Sequence, residues 1–433
     1  MRILRNRLLS PLALGLTLLM VGCGGSNTAT PTQTGPLSVG VIAPFSGPAA
    51  EIGKLVGAPC FAATDLINAA GGVMGHTLNC VTIDDTGDQA DAVPNVTRAI
   101  ATTSNFDMAI GLESNTASTV VPLVNSAKIP FFTTNGLAAF NQQSPPLQYY
   151  YRMTPGDDAN GAAFAVWAVQ KGYKKVAVIF QSGIGSEGNL PGITAAMPKL
   201  GGSIAINLTL TGDAPSYSTE VAKVIAVNPD ALIWSGDPQT TATFLSNYKQ
   251  LNNGNLPPMV TATDSLTPDF FNPVSKVVGV AYVTNSIYLV GSYFDQTTPA
   301  FMTYDSALKN NANTKDIEPV LSTVGPPAGA YDGMNIMALA MLMAHSTIGS
   351  VYNSYILKVL EAKSGATVVG NYADGKAALA AGKQIQYVGV LGSPGFDQYH
   401  NSGGEFDANV FKADGSATSV GTISGSQVIQ LLG

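Results

Sequence analysis

Charge is scarce in this chain: Asp, Glu, Lys and Arg make up only 11% of its 433 residues. With 45% apolar residues beside so little charge, the sequence is neither disordered nor built to grip nucleic acid. Histidine is rarer still. His76, His345 and His400 are the only three, no two of them at metal-ligand spacing, and each is expected in a solvated loop or at a helix end. There is no Cys-x-x-Cys pair and no Gly-x-Ser-x-Gly elbow, which argues against a metal centre and a serine hydrolase. Past residue 23, no stretch reaches the ~18 consecutive apolar residues of a membrane span.

What is present begins at the N-terminus. Arg2, Arg5 and Arg7 precede an apolar run over 8–21, and Met20-Val21-Gly22 leads into Cys23. That is the layout of a secretory signal. The last four residues resemble the lipobox of bacterial lipoproteins, which implies that Cys23 is lipidated and that a double acyl chain anchors the protein stably. The other reading is an ordinary cleaved signal with a chance cysteine; both export the chain. Residues 24–36 are small and polar and read as a flexible tether. Without the three leader arginines, 18 of the 21 basic residues face 28 acidic ones, a balance that disfavours polyanionic partners.

From residue 37 the chain alternates strand and helix. Strands are predicted over 39–43, 78–83, 108–110 and 130–132, with helices over 53–70, 89–102 and 118–126. A second series follows: helices over 157–171, 187–200, 218–227 and 240–251, strands over 176–180, 204–210, 231–234 and 259–262. The strands read as continuous Val/Ile/Leu runs, the mark of strands buried on both faces of a parallel sheet. The fold class is therefore α/β, with two doubly wound parallel-sheet lobes. A strand over 280–284 and helices over 299–308, 328–344 and 352–362 follow, then a tail of short strands from 387. Cys60 falls early in a helix and Cys80 on the next strand. They form a disulfide worth roughly 3 kcal/mol, or stand as two buried thiols.

Pro44-Phe45-Ser46-Gly47-Pro48-Ala49 follows the first strand; the helix after it ends in Ile67-Asn68-Ala69-Ala70-Gly71-Gly72, and Asp84-Asp85 closes the second strand. With Gly111 and Ser114, Ile129-Pro130, Tyr151-Arg152, Tyr331-Asp332-Gly333 and Gly389…Phe396-Asp397, these motifs run in order along residues 37–425. The sequence resembles the leucine/isoleucine/valine-binding family of type I periplasmic binding proteins, the solute-capturing partners of ABC importers. The resemblance implies two lobes joined by three crossovers near 151–155, 284–287 and 387–394. One lobe would comprise 37–152 and 287–388, the other 153–286 and 389–433. It also implies a monomer that binds a small molecule between the lobes, uses no cofactor or metal, and hands its cargo to a permease driven by an ATPase.

The same resemblance nominates site residues. Ser114, followed by Asn115, matches the hydroxyl that grips a ligand carboxylate, or else caps the next helix. Thr134 and Asn135 fall where the family offers backbone groups. Leu137 replaces the usual second hydroxyl. In the other half, Gly185 (with Ile184) stands where an aromatic is expected, and Asp237 replaces another; Asp237 is a polar contact or a helix N-cap. Asp264 takes the place of the amine-binding acid, or makes a turn before Pro268. Ile52 touches the ligand or serves the core. One hydroxyl lost, two aromatics lost and an acid gained leave the ligand class open: an amino acid, an amide, a short peptide or an organic acid.

Two other classes fit parts of the sequence. Residues 183–188 spell G-x-G-x-x-G between strand and helix, with Asp213 as a ribose partner, which fits an NAD-dependent enzyme. The type I fold also serves ligand-sensing receptors and regulators, which need a transmembrane signalling domain or a cytoplasmic partner; the export signal and lipid tether favour delivery to a permease instead.

Overall fold

Each strand of an α/β sheet sends alternate side chains to opposite faces, and in this protein helices cover both. The computed structural model describes residues 34–47, 49–182 and 186–433; the leader, Cys23, Pro48 and Gly185 lie outside the described residues. Strands β1 (Leu37–Ala43), β2 (Leu78–Asp84), β3 (Phe106–Gly111), β4 (Phe131–Thr133) and β5 (Tyr150–Arg152) form an all-parallel sheet in the order β2-β1-β3-β4-β5. Val39, Val41, Met108 and Phe132 pack on one side against the helix Gly325–Ala344, while Ile42, Ala109 and Phe131 pack on the other.

Further on come β6 (Lys175–Gln181), β7 (Ser203–Leu210), β8 (Ala231–Ser235), β9 (Met259–Ala262) and β10 (Ile287–Ser292). β11 (Thr367–Val369) and β12 (Ile385–Tyr387) make a small separate parallel pair. β13 (Phe406–Phe411) and β14 (Ala417–Ile423) add antiparallel to the second sheet, ordered β14-β13-β10-β9-β8-β6-β7. Ile179, Leu232, Trp234 and Leu289 line one face; Val178, Ile233, Val260 and Val290 line the other, under the helix Asp157–Gln170. The α/β architecture with parallel-dominated sheets is therefore as expected. Among the described residues no single helix is long and apolar enough to cross a membrane; the apolar helix Gly325–Ala344 is buried in the core.

Cys60 and Cys80 are bonded, joining the helix Pro59–Ala69 to β2. Two expectations change. Residues 280–284 are helical, within Val280–Ser286, because Gly279 at φ +95° ends one helix and starts the next. Their Val and Tyr suggested a strand, but tertiary context overrides that preference. The true strand is β10, the continuous run Ile287-Tyr288-Leu289-Val290, paired between β9 and β13. Residues 287–292 thus belong to the second sheet, not to the first lobe as the sequence boundary had it. The second crossover accordingly lies beyond Ser292, and the third extends to Glu405.

These connections run side by side. Arg152 N donates to His400 O and Ser402 N to Arg152 O, both at 2.9 Å, and Tyr293 N reaches Glu405 O at 2.9 Å. His400 is not a simple solvated loop residue: its ring stacks on Tyr151 with centroids 4.5 Å apart, and Nδ1 meets Tyr150 O. Buried Asp332 fastens the chain leading into the third connection, accepting from Tyr387 Oη at 2.7 Å, Val390 N at 3.0 Å and Leu391 N at 2.9 Å.

Candidate ligand-binding site

The carboxyl ends of β3, β4, β5, β6 and β9 bring Ser114, Gly136, Asp157, Gly188 and Asp264 into one region, the edge where open α/β sheets take their ligands. At the end of β3, the helix Ser114–Ser126 starts under a Glu113 N-cap, whose Oε2 accepts from Asn115 N at 2.9 Å. The cap is therefore Glu113 and not Ser114. Thr116 donates to buried Asp85 Oδ2 at 2.7 Å, fixing this helix to the end of β2. With its helix capped by a neighbour, Ser114 turns its hydroxyl outward. Oγ accepts from Gly136 N at 3.0 Å and donates to Asp157 Oδ2 at 3.2 Å.

Asp157 opens the helix of the second sheet and is tied back to the first sheet, its N–H donating to Gly136 O at 2.6 Å. Two glycines make room for its carboxylate. A Cβ on Gly136 would lie 1.8 Å from Oδ1, and one on Gly188 would lie 2.6 Å from Oδ2. Burial pushes the Asp157 pKa up to about 6, against the pull of the Ser114 hydrogen bond and Arg152; Asp158 and Asp264 push the same way as burial. Burial also lifts Glu113 to about 7, with Asp85 and Asp157 adding to the rise. Arg152 sends its two terminal nitrogens to Leu137 O and Asn141 Oδ1.

Asp264 sits in a short turn after β9. Asp264 is exposed to solvent, while the protein around it raises its carboxyl pKa. It does not make the turn before Pro268, for Thr267 caps the helix Pro268–Val278 there. Asp237 is the N-cap of Pro238–Leu251, accepting from Thr240 N at 2.7 Å and Thr240 Oγ1 at 2.9 Å.

Several expected residues are occupied elsewhere. Thr134 N donates to Gly111 O and its hydroxyl to Leu112 O. Asn135 is fully buried, bonded to Thr133, Tyr150 and Leu137 N. Leu137 packs on the first sheet's outer cluster, Ile52 is half-buried in Ala50–Gly57, and half-buried Asn115 accepts from Gln89 through its carbonyl. Glu113, Gly136 and Asp157 were not singled out in the sequence. Asp157-Asp158 reads there as an ordinary acidic helix start; the signal was that a crossover places this start opposite Ser114.

The dinucleotide reading loses ground at the same point. Gly188, its last glycine, packs on the Asp157 carboxylate, a hostile neighbour for a pyrophosphate. Its first glycines, 183 and 185, lie outside the described residues.

Against known families, residues 36–417 match the family described as "Periplasmic binding protein". A curated relative, the "Leu/Ile/Val-binding protein homolog 3" of Brucella melitensis biotype 1, is 25% identical over 366 residues, covering 83% of this chain and 90% of its own. Among solved structures, a leucine-binding protein from Thermotoga maritima superposes with a TM-score of 0.70 at 17% identity, over 90% of this chain and 99% of that one. A solute-binding protein of an R. palustris ABC transporter, in complex with benzoate, gives 0.66 at 16% identity over 90% and 96%. At such identities the two structures are similar in fold.

Proposed function

Because this chain belongs to the periplasmic binding protein family, we propose that it is the extracytoplasmic solute-binding component of an ABC importer. It captures a small organic molecule between its two sheets and presents it to a permease and ATPase. The observation that carries this reading is the meeting of Ser114, Gly136 and Asp157 at strand ends of the first sheet with Asp264 of the second, beside three parallel connections. Those connections act as the hinge, so that each sheet with its helices moves as a lobe and ligand favours the closed state by its differential affinity.

Transport draws its energy from the ATPase, so the chain itself needs no catalysis or cofactor. Cys23 holds the mature protein to a membrane by lipid, and residues 24–36 give it reach. The leucine-binding and benzoate-binding structures supply the first compounds to try. A thermal-shift screen of the mature chain against amino acids, amides, amines and aromatic acids tests the reading. A saturable rise in melting temperature with recovery of the compound unchanged supports it, and turnover of the compound contradicts it.

A further inference from the structure

Most donors of this site are already engaged, and its acids outnumber its cations. Ser114 Oγ already donates to Asp157 and accepts from Gly136 N. On the loop after β4, Thr134 N and Leu137 N are also engaged, by Gly111 O and Asn135 Oδ1. Arg152, whose charge acts on Asp157, places both terminal nitrogens on Leu137 O and Asn141 Oδ1 and keeps its buried Nε without a partner. An incoming anion would find among these groups only the remaining N–H groups of the Arg152 guanidinium, the buried Nε among them. It would also face Asp157, Asp158, Asp264, Glu113 and Asp85 at close quarters, where low dielectric magnifies repulsion.

A second, independent feature points the same way. Glu113 is only 8% exposed, and its Oε1 has no hydrogen-bond partner, although its Oε2 is held by Asn115 N. A buried carboxylate oxygen left unpaired is costly and calls for a donor. Asp264 likewise has no side-chain hydrogen bond, only surrounding protein that disfavours its charge. Gly136 and Gly188 are shaped around Asp157, so its carboxylate is a built part of the wall. No group of three or more metal-ligating side chains stands together among the described residues, so the complement to these acids is a cation with N–H donors of its own.

We propose that the site is built for a small organic cation, one that brings a protonated amine or amidinium to Asp157 and Asp264 and no free carboxylate to Ser114. This rests on the solute-binding reading of the same site and narrows it. Amides and amines of amino acids fit the description; free α-amino acids and aromatic acids do not.

Matched pairs that differ in this one feature test it: leucinamide against leucine, benzylamine against benzoate, and agmatine against arginine, titrated calorimetrically into the full mature chain at pH 8. The expected result is that the carboxylate-free member binds at least tenfold tighter than its partner. Asp157→Asn and Asp264→Asn should each weaken that binding tenfold or more. If Asp157→Asn does not fold, Asp264→Asn carries the test. Tighter binding of leucine or benzoate overturns the cation assignment and leaves the solute-binding reading intact, as does amine binding indifferent to both variants. Absence of heat or thermal shift with every compound of either charge overturns both.

Discussion

Ser114 Oγ lies 3.2 Å from Asp157 Oδ2, a hydrogen bond that joins the first helix after β3 to the helix that begins the second sheet's cover. The same hydroxyl holds Gly136 N, so one side chain organises three segments of the site. Ser114→Ala should therefore have two effects. It should weaken ligand binding about tenfold, and it should cost about 1–2 kcal/mol of stability by stranding Gly136 N and an Asp157 oxygen. Denaturant unfolding and calorimetry read the two separately.

Asp264→Ala should behave differently. With no side-chain hydrogen bond to lose, it should leave the melting temperature of the ligand-free chain unchanged or slightly higher, yet cut affinity tenfold or more. A fall in melting temperature with unaltered affinity would mean that Asp264 belongs to the scaffold and not to the site.

The acids of the site and of the third connection should make stability depend on pH. Burial raises Asp157 and Asp332 from 3.8 to about 6, and Glu113 from 4.5 to about 7. The folded state keeps protons that the unfolded chain releases, so this stabilisation is full below about pH 4 and is lost as pH rises through 6 to 7. The ligand-free protein should melt a few degrees higher at pH 5.5 than at pH 8. Glu113→Gln should flatten part of that slope; a slope identical to wild type would refute the assignment.

The bond between Cys60 and Cys80 closes a loop of sequence separation 20 and should be worth about 3 kcal/mol. Reduction, or Cys60→Ser with Cys80→Ser, should lower the denaturant midpoint accordingly and leave ligand affinity nearly unchanged, since the bond ties the helix Pro59–Ala69 to β2 and carries none of the candidate site residues. Equal midpoints with and without reductant would contradict this.

Asp332 accepts three hydrogen bonds where the chain leaves β12 for the third connection. Asp332→Ala strands the Tyr387 hydroxyl and two backbone donors, and should destabilise by about 2–4 kcal/mol. Gly389→Ala should do comparable harm, because a Cβ there would lie 2.2 Å from Asp332 Oδ1. Unfolding curves of the two variants check both.

Most of the sheet structure was legible in the sequence because a strand covered on both faces reads as a nearly continuous apolar run, as 39–43, 176–180 and 231–234 do within β1, β6 and β8. Residues 280–284 misled because Val and Tyr favour strands locally while Gly279 decides the backbone. The site was legible only in part. Ser114 and Asp264 were nominated by the family resemblance, and both lie just past strand ends, after β3 and β9. Asp157 and Glu113 look like routine helix-start acids, and their role depends on a long-range approach that no local pattern encodes. Asp237 shows the opposite case: it is an N-cap and local chemistry explains it fully.

The account stands on capture of a solute between two hinged halves. Small-angle X-ray scattering of the mature chain, with and without a saturating amount of a compound that raises its melting temperature, measures this most directly. The account predicts a smaller radius of gyration on binding, as the gap between Ser114 and Asp264 closes. An unchanged radius at full occupancy would contradict it.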